Sequence, residues 1–279
     1  MKRVFVTIIV PTFNEEKNIE NCLVSIKRQT YKNYEIIVVD GLNSRDNTYE
    51  ISKKYAAVFK FGRERSQQRN YGVEKSKGKY IFFIDADMQL QQSVVSDCMQ
   101  AVKEGCVSVT VPERSIGEGY WSKCKALEKN LYIGDDAIEA PRFFEKKLFL
   151  KVGGYNEKMI SGEDWDLRRR FADLGKIGRT KSFINHYEGR LTLLGDLKKK
   201  LYYAKTSESY LSNNVKGLSD VLKFIFRPAY FLKWRAIVSD PFHAVGFIVM
   251  KFSELLVGGF GAIIFKKKFW EKLGIVRLL

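Results

Sequence analysis

Short apolar runs alternate with helix-like segments along roughly the first 185 residues. Val4–Val10 and Glu35–Val39 are rich in β-branched residues and each ends at a polar loop, and the segment between them has apolar residues at helical spacing. A third run, Tyr80–Ile84, follows a predicted helix over Arg65–Lys77. Strands that alternate with helices in this way indicate an α/β fold with a mostly parallel sheet, covered by helices on both faces.

The pattern changes towards the carboxyl terminus. Leu193–Leu211 has the spacing of a basic amphipathic helix, and Val221–Val238 and Phe242–Phe265 combine aromatic and aliphatic residues with Lys, Arg and Gly. We therefore predict two domains, an α/β domain over residues 1–190 and a helical region over residues 191–279.

The segment Phe242–Phe265 is long enough to cross a bilayer, which takes roughly 20 residues. It nevertheless contains His243, Lys251, Glu254 and four glycines. We expect helices that lie in the membrane interface, with Lys266–Lys268 at the lipid headgroups. A helical cap packed on the α/β domain and a true membrane span are the alternatives.

Charge indicates an acidic partner without identifying it. The formal net charge is +16, and residues 186–279 hold 16 Lys/Arg against 7 Asp/Glu. Such a surplus attracts nucleotides, nucleic acid or anionic lipid headgroups.

Cysteine and histidine usage restricts the compartment and the metal chemistry. The four cysteines form no C-x-x-C pair, and the two histidines are too few for a multi-His zinc site. The first residues lack a signal-peptide cleavage pattern and are interpreted as a strand. We expect reduced thiols and a cytoplasmic location.

Two carboxylates follow the third apolar run. Asp85 and Asp87 come directly after Ile84 and are separated by Ala86. The carboxyl edge of a parallel sheet is where ligands of open α/β folds bind, and Asp40 follows another strand at that edge. Paired oxygen ligands suit Mg²⁺ or Mn²⁺ together with substrate phosphates. The alternative for this Asp-x-Asp triplet is a solvated strand end, and the directions of its side chains stay open.

A further acidic group begins a predicted helix. Glu163, Asp164 and Asp166 follow Gly162, in a first helical turn where the helix dipole stabilises anions. Such residues also occur simply as helix-start charges.

These segments together resemble a known family. The matching parts are Thr7–Glu15, Ile36–Asp40, Arg69-Asn70-x-Gly72, Gly78–Asp87 and Gly162–Arg170. In this order they resemble the family 2 glycosyltransferases, which have the nucleotide-diphospho-sugar transferase, or GT-A, fold. The resemblance covers residues 4 to about 190.

The resemblance implies roles for individual residues. The positions that would line the base and ribose pocket are Pro11, Thr12, Glu15 and Asp40, with Arg69 beside the base or the phosphates. Asp85 would face the ribose and the metal, Asp87 would bind Mn²⁺ or Mg²⁺ directly, and Asp164 would be the general base of an inverting single displacement.

Two residues after the presumed last strand extend this assignment. His186 matches the place of a third metal ligand, with a hydrogen-bonded structural histidine as the alternative, and Arg190 would hold the diphosphate. His243 is expected to be structural or interfacial. The chain departs from the family pattern at Gly41, where a second acid is common, and it lacks the Gln-x-x-Arg-Trp signature of processive synthases. We therefore expect transfer of one sugar per encounter.

The functional expectation is a metal-dependent inverting glycosyltransferase. It would move one sugar from a nucleoside-diphosphate sugar to a lipid-linked or other glycan acceptor in cell envelope or glycan biosynthesis. The protein would be bound peripherally to the anionic inner face of the cell membrane and would have no nucleic-acid partner. The alternatives are a sugar nucleotidyltransferase, against which the missing Gly-rich phosphate loop argues, and a non-catalytic basic module that binds nucleic acid or membrane.

Overall fold

The computed structural model describes residues 5–159, 161–206 and 227–265, with the side chains of 202–206 and 258–265 excepted. These residues form two compact units. The first comprises the described residues up to Arg114, then Ile133–Lys158 and Glu163–Tyr187. The second comprises Ser115–Tyr132, the short segment 159–162 and the described residues from Glu188 onward. The second unit is not contiguous in sequence, so its composition differs from the predicted region 191–279.

The strands lie in two sheets. In chain order they are β1 (Val6–Thr12), β2 (Tyr34–Asp40), β3 (Ala57–Lys60), β4 (Tyr80–Phe83), β5 (Met88–Leu90), β6 (Ser108–Thr110), β7 (Glu113–Ile116), β8 (Phe143–Glu145), β9 (Ile177–Arg179) and β10 (Ile184–Tyr187). The large sheet has the order β3-β2-β1-β4-β8-β6-β9, and the small one has the order β5-β10-β7. Four of the six pairings in the large sheet are parallel, whereas β8 runs antiparallel to both β4 and β6.

The described helices follow the same numbering. They are α1 (Ile19–Lys27), α2 (Thr48–Lys53), α3 (Arg65–Lys75), α4 (Val94–Lys103), α5 (Tyr120–Leu131), α6 (Lys146–Lys151), α7 (Glu163–Ala172), α8 (Leu193–Thr206), α9 (Pro228–Leu232), α10 (Trp234–Val238) and α11 (Pro241–Phe265). The predicted helix over Arg65–Lys77 therefore ends two residues early.

The core of the first unit lies on both faces of the large sheet. Successive residues of a strand point to opposite faces, so Ile8 joins the apolar cluster that includes α1 and α4, while Ile9 joins the one that includes α3, α6 and α7. Burial on both faces explains why the central strands are continuous apolar runs rather than alternating ones.

The central strands differ from their predicted bounds. β1 continues through Pro11 to Thr12, where the prediction ended it at Val10. Its pairing with β4 ends at Ile9, so the missing amide hydrogen of Pro11 costs no bond on that side. β4 ends at Phe83, and the chain turns through Asp85 rather than remaining extended.

The second unit is helical. α11 packs against α5 and α8, and it begins at Pro241 after Asp240, whose carboxylate accepts a 3.3 Å hydrogen bond from the amide of His243. The predicted helix over Leu193–Leu211 is observed to Thr206.

The predicted apolar segment 221–238 is described from residue 227, as the short helices α9 and α10. Lys266–Lys268 lie outside the described residues. Within the described residues, none of the helices combines the length and the hydropathy that a membrane span requires.

Candidate active site

The ends of β1 and β2 meet at one edge of the large sheet. Thr12 pairs with Asp40 in register, and its hydroxyl donates a 2.9 Å hydrogen bond to Asp40 Oδ1. The Nζ of Lys60 lies 3.3 Å from Asp40 Oδ2. Asp40 is fully buried, and Thr12 and Pro11 are also buried. Contact of Asp40 with a nucleotide, as the sequence predicts, therefore requires rearrangement around its carboxylate.

The loop after β1 is held by the loop after β2. Asn14 adopts a left-handed φ of 55°, and its side-chain oxygen accepts a 2.8 Å hydrogen bond from the Arg45 amide. The amide of Glu15 donates to Thr48 Oγ1 at 2.7 Å. Burial raises the pKa of Glu15, and the negative charges of Asp87 and Asp85 raise it further. Glu15 therefore faces the same acidic centre as the Asp-x-Asp turn.

Asp85 lies between two arginines. Its Oδ1 is 2.9 Å from Arg69 Nη2, and its Oδ2 is 3.3 Å from Arg142 Nη1. Burial alone would raise the pKa of Asp85, but the charges of Arg69 and Arg142 outweigh it and hold this pKa far below the ordinary value. Asp85 is ionised throughout the physiological range, with both oxygens engaged.

The ionic contacts continue from Arg142 to Asp87. Arg142 Nη2 contacts Glu113 Oε1 at 2.6 Å, and Glu113 Oε2 lies 3.4 Å from His186 Nδ1. His186 lies within β10 rather than after the last strand as predicted, and its Nε2 lies 3.2 Å from Asp87 Oδ2. Although burial would raise the pKa of Glu113, the charge of Arg142 and the contacts with His186 lower it to about 2. His186 is thus oriented by carboxylates on both ring nitrogens.

Asp164 is held at the other end of the same network. Arg69 Nη1 lies 3.1 Å from Asp164 Oδ1, and the hydroxyl of Tyr155 donates to the same oxygen at 3.0 Å. Tyr155 and Arg69 are almost fully buried, whereas the side chain of Asp164 keeps 38% of its surface exposed. Among the described residues, Asp164 Oδ2 accepts no hydrogen bond. One oxygen is fixed, and the other is open to a substrate.

The residues around Asp87 provide a limited set of metal ligands. Its Oδ1 is buried and has no hydrogen-bond partner in the described part of the chain, an arrangement that fits a cation ligand. His186 is the adjacent nitrogen donor. No group of three or more His, Cys, Asp or Glu side chains within the described ranges is arranged to hold a metal by itself. A cation here would need substrate oxygens or water to complete its coordination.

The structure brings five of the ten predicted site residues into this one network. Asp85, Asp87, Arg69, Asp164 and His186 are connected through consecutive contacts. Arg190 is exposed and belongs to the second unit, so it is not part of the network described for the first.

Three residues of the network were not predicted from the sequence, and these are Arg142, Glu113 and Tyr155. The strand register explains Arg142: Phe82 pairs with Phe143, so Arg142 lies beside the carboxyl end of β4. Tyr155 follows two glycines at positive φ, a turn signal that marks a constrained position.

Comparisons with known proteins address the family directly. The sequence model described as Glycosyl transferase family 2 matches residues 7–170, which include the five segments that carry the resemblance but not His186 or Arg190. The chain belongs to this family.

Relatives within the family support the assignment. The chain is 29% identical over 201 residues to Glycosyltransferase AglE of Haloferax volcanii, covering 61% of this chain and 62% of that protein. It is 31% identical over 175 residues to the GalNAc(5)-diNAcBac-PP-undecaprenol beta-1,3-glucosyltransferase of Campylobacter jejuni, covering 56% of each. The matches thus span less than two thirds of these curated relatives.

A solved structure supports the fold. The mannosyltransferase PcManGT from Pyrobaculum calidifontis, in complex with GDP-Man and Mn²⁺, matches with a TM-score of 0.60 at 16% identity and covers 96% of this chain and 87% of that chain. The predicted GT-A fold is confirmed, and the large sheet flanked by helices is its central feature.

Proposed function

We propose that the protein transfers one sugar from a nucleoside-diphosphate sugar to an acceptor hydroxyl, with inversion at the anomeric carbon. The observation that carries this proposal is the network in which Arg69 connects Asp164 to Asp85. It holds a carboxylate with an open oxygen close to the acidic turn at the sheet edge. Family membership and the fold support the same reaction class.

The chemistry assigned to Asp164 is general-base catalysis. Its Oδ2 would accept the proton of the acceptor hydroxyl while that oxygen bonds to the anomeric carbon. The bond from this carbon to the diphosphate breaks on the opposite face, and its electron pair leaves with the nucleoside diphosphate. Arg69 and Tyr155 hold Oδ1, so Oδ2 is already oriented before the acceptor arrives.

A divalent cation fits the residues around Asp87. Asp87 Oδ1 would hold it, and the imidazole of His186 would join once its Nε2 releases Asp87 Oδ2; Mn²⁺ or Mg²⁺ there would act as a Lewis acid on the diphosphate. Asp85 would join this ligand set only by releasing an arginine. In its observed position it contacts Arg69 and Arg142, which would hold these two side chains in place when the donor binds.

The proposed acceptor is a lipid-linked glycan. Support comes from the relative whose name includes an undecaprenol-linked substrate, and from the apolar helices of the second unit. Transfer to a lipid carrier would place the reaction at the inner face of the cell membrane, as the sequence predicts. The same proposal includes a role in binding the nucleotide and the sugar of the donor. The residues with this role are Pro11, Thr12, Glu15, Asp40 and Arg190.

Donor binding is the first test. Thermal unfolding is followed with Mn²⁺ and each common nucleotide sugar, since a ligand that binds only the native state raises the melting temperature. Asp87→Ala should abolish the cation-dependent shift, whereas Asp173→Ala, an exposed carboxylate just after α7, should preserve it. An unchanged shift in Asp87→Ala would reject the assigned cation site.

Transfer is tested separately. Asp164→Asn should keep the donor-induced thermal shift but lose about 10²–10⁴-fold in the rate of nucleoside-diphosphate release with acceptor. Equal rates would reject the assigned base. Products that form only when pyrophosphate is added, in place of nucleoside diphosphate, would favour a sugar nucleotidyltransferase.

A further inference from the structure

The longest helix of the second unit buries both apolar and charged side chains on its packed side and exposes apolar side chains on its open side. Ala244, Phe247 and Met250 are buried, and so is Glu254. The large apolar side chains exposed by at least 43% on the same helix, α11, are Phe242, Val245, Ile248, Val249, Phe252, Leu255 and Leu256. They recur at intervals of three and four residues, so they form one continuous stripe along the helix. We call this stripe the outer face.

The packed side carries charges that a soluble helix would normally direct to water. Glu254 Oε1 lies 2.7 Å from Lys125 Nζ of α5, and Lys251 Nζ lies 2.8 Å from Glu254 Oε2. Lys125 Nζ also contacts Glu128 Oε2 of α5 at 3.1 Å and Asp196 Oδ2 of α8 at 3.7 Å. The ion pairs hold α11 in this orientation, because rotating it would leave buried charges unpaired.

Large apolar side chains are also exposed on the two short helices before α11. Phe231, Leu232, Trp234 and Val238 are between 55% and 81% exposed. Trp is frequent at the boundary between lipid headgroups and acyl chains because its ring is amphipathic. Contiguous exposed apolar surface of this kind marks an interaction site rather than ordinary surface.

Charge selects the occupant of this surface. From Glu188 onward the chain carries 16 Lys/Arg against 7 Asp/Glu, and Lys123 and Arg235 are exposed in the same unit. A second copy would present the same positive charge, whereas an anionic bilayer presents the opposite one. We propose that the outer face, with the exposed apolar residues of α9 and α10, docks on the surface of an anionic membrane.

The described helices fit a position in the interface. α11 has 25 residues and so is about 37 Å long, and no helix in the described part of the chain meets the length and hydropathy of a span. Lying flat, it would place its outer face among the acyl chains. The proposal rests on the proposed sugar transfer in one respect, which is that docking would bring lipid-linked acceptors to the enzyme. Vesicle binding itself needs neither donor nor transfer.

The test is co-sedimentation of the full chain with vesicles of phosphatidylcholine alone or mixed equally with phosphatidylglycerol. We expect binding to the anionic vesicles and weaker binding at high salt. Leu256→Asn is the probe and Leu150→Asn the matched control, because both leucines are about half exposed, at 47% and 55%, and Leu150 lies on α6 in the first unit. The probe should lower the vesicle partition coefficient by about tenfold and the control should not change it.

The double variant Ile248→Asn/Phe252→Asn enlarges the effect to about a hundredfold if the two contributions add. Both side chains are at least 60% exposed, so thermal unfolding should stay close to that of the wild type. Equal vesicle binding by the probe and control variants would overturn the proposal. A dimer that outer-face variants dissociate, without vesicle binding, would also overturn it in favour of a second copy. Donor-induced thermal shifts measured without vesicles show independently whether the proposed function holds.

Discussion

Replacing Lys125 by Met tests how the ion pairs hold α11 on α5. Lys125 is 7% exposed, and its Nζ contacts Glu254 Oε1 at 2.7 Å, Glu128 Oε2 at 3.1 Å and Asp196 Oδ2 at 3.7 Å. The substitution keeps most of the side-chain volume and removes the charge. It leaves three buried carboxylates with one cation fewer.

The expected loss in the free energy of unfolding is about 3 kcal/mol at pH 7. Removing one partner of a buried ion pair costs about 3–5 kcal/mol, because the remaining charge stays desolvated. The lower end applies because Lys251 remains within contact distance of both Glu128 and Glu254. Burial raises the pKa of Asp196, so as the pH falls this group takes up a proton more readily than an exposed aspartate and relieves part of the cost.

Urea unfolding measures the loss, and native-state hydrogen exchange shows whether it is located in α5 and α11. Lys123→Met is the matched control on the same helix; Lys123 is exposed, so its change should stay within about 0.5 kcal/mol. Lys125→Met/Glu254→Gln restores charge balance and should be at least about 1 kcal/mol more stable than additivity predicts. Additive losses, or a Lys125→Met variant as stable as the control, would refute the reasoning.

Three further predictions follow from individual contacts. Tyr155→Phe removes the hydroxyl that holds Asp164 and should slow transfer by about tenfold without changing the donor-induced thermal shift; an unchanged rate in single-turnover assays would contradict this positioning role. Gly246→Ala should destabilise the protein by about 1–3 kcal/mol in urea titrations, because a Cβ there would lie 2.5 Å from Cys124 Sγ; wild-type stability would show that α5 and α11 can separate without cost. Burial would raise the pKa of Glu254, but nearby lysines lower it by more, so the stabilisation that ionised Glu254 gives the folded protein is complete above about pH 4.5 and is lost as the pH falls. Glu254→Gln should therefore flatten the acid side of the curve of unfolding free energy against pH. An unchanged acid side would exclude Glu254 as its source.

The central strands were predictable because local pattern and tertiary environment agree there. β1, β2 and β4 are buried on both faces, so they are apolar throughout and visible without knowledge of their partners. The small sheet was missed, since β5, β7 and β10 have only three or four residues each and mix polar with apolar positions. Runs this short show no reliable period.

Candidate site residues could be proposed where they follow a strand end or match a family motif. Asp85 and Asp87 were proposed from a strand end, and Asp164 from the resemblance at a helix start. Arg142 was not, because its place depends on the antiparallel register of a three-residue strand, β8. Tyr155 contacts Asp164 across a turn whose geometry depends on two glycines in the left-handed region. Neither position has a periodic signal, so only the tertiary structure brings these side chains to the carboxylates.

The charge balance of the first unit gives a physical reason for a cation at this site. The ionic network and its immediate neighbours contain six carboxylates, those of Glu15, Asp85, Asp87, Glu113, Glu163 and Asp164, against the three guanidinium groups of Arg65, Arg69 and Arg142. A nucleoside diphosphate brings further negative charge to this edge of the sheet. Like charges at close range in a partly buried site repel by several kcal/mol at an effective dielectric constant of about 20. Because both oxygens of Asp85 are already paired and Asp87 Oδ1 is not, a divalent cation at Asp87 would offset this repulsion while leaving the arginine contacts intact. The different contacts of Asp85 and Asp87 would thus give the proposed cation one ligand and the arginines another, although the two residues differ by only two positions in sequence.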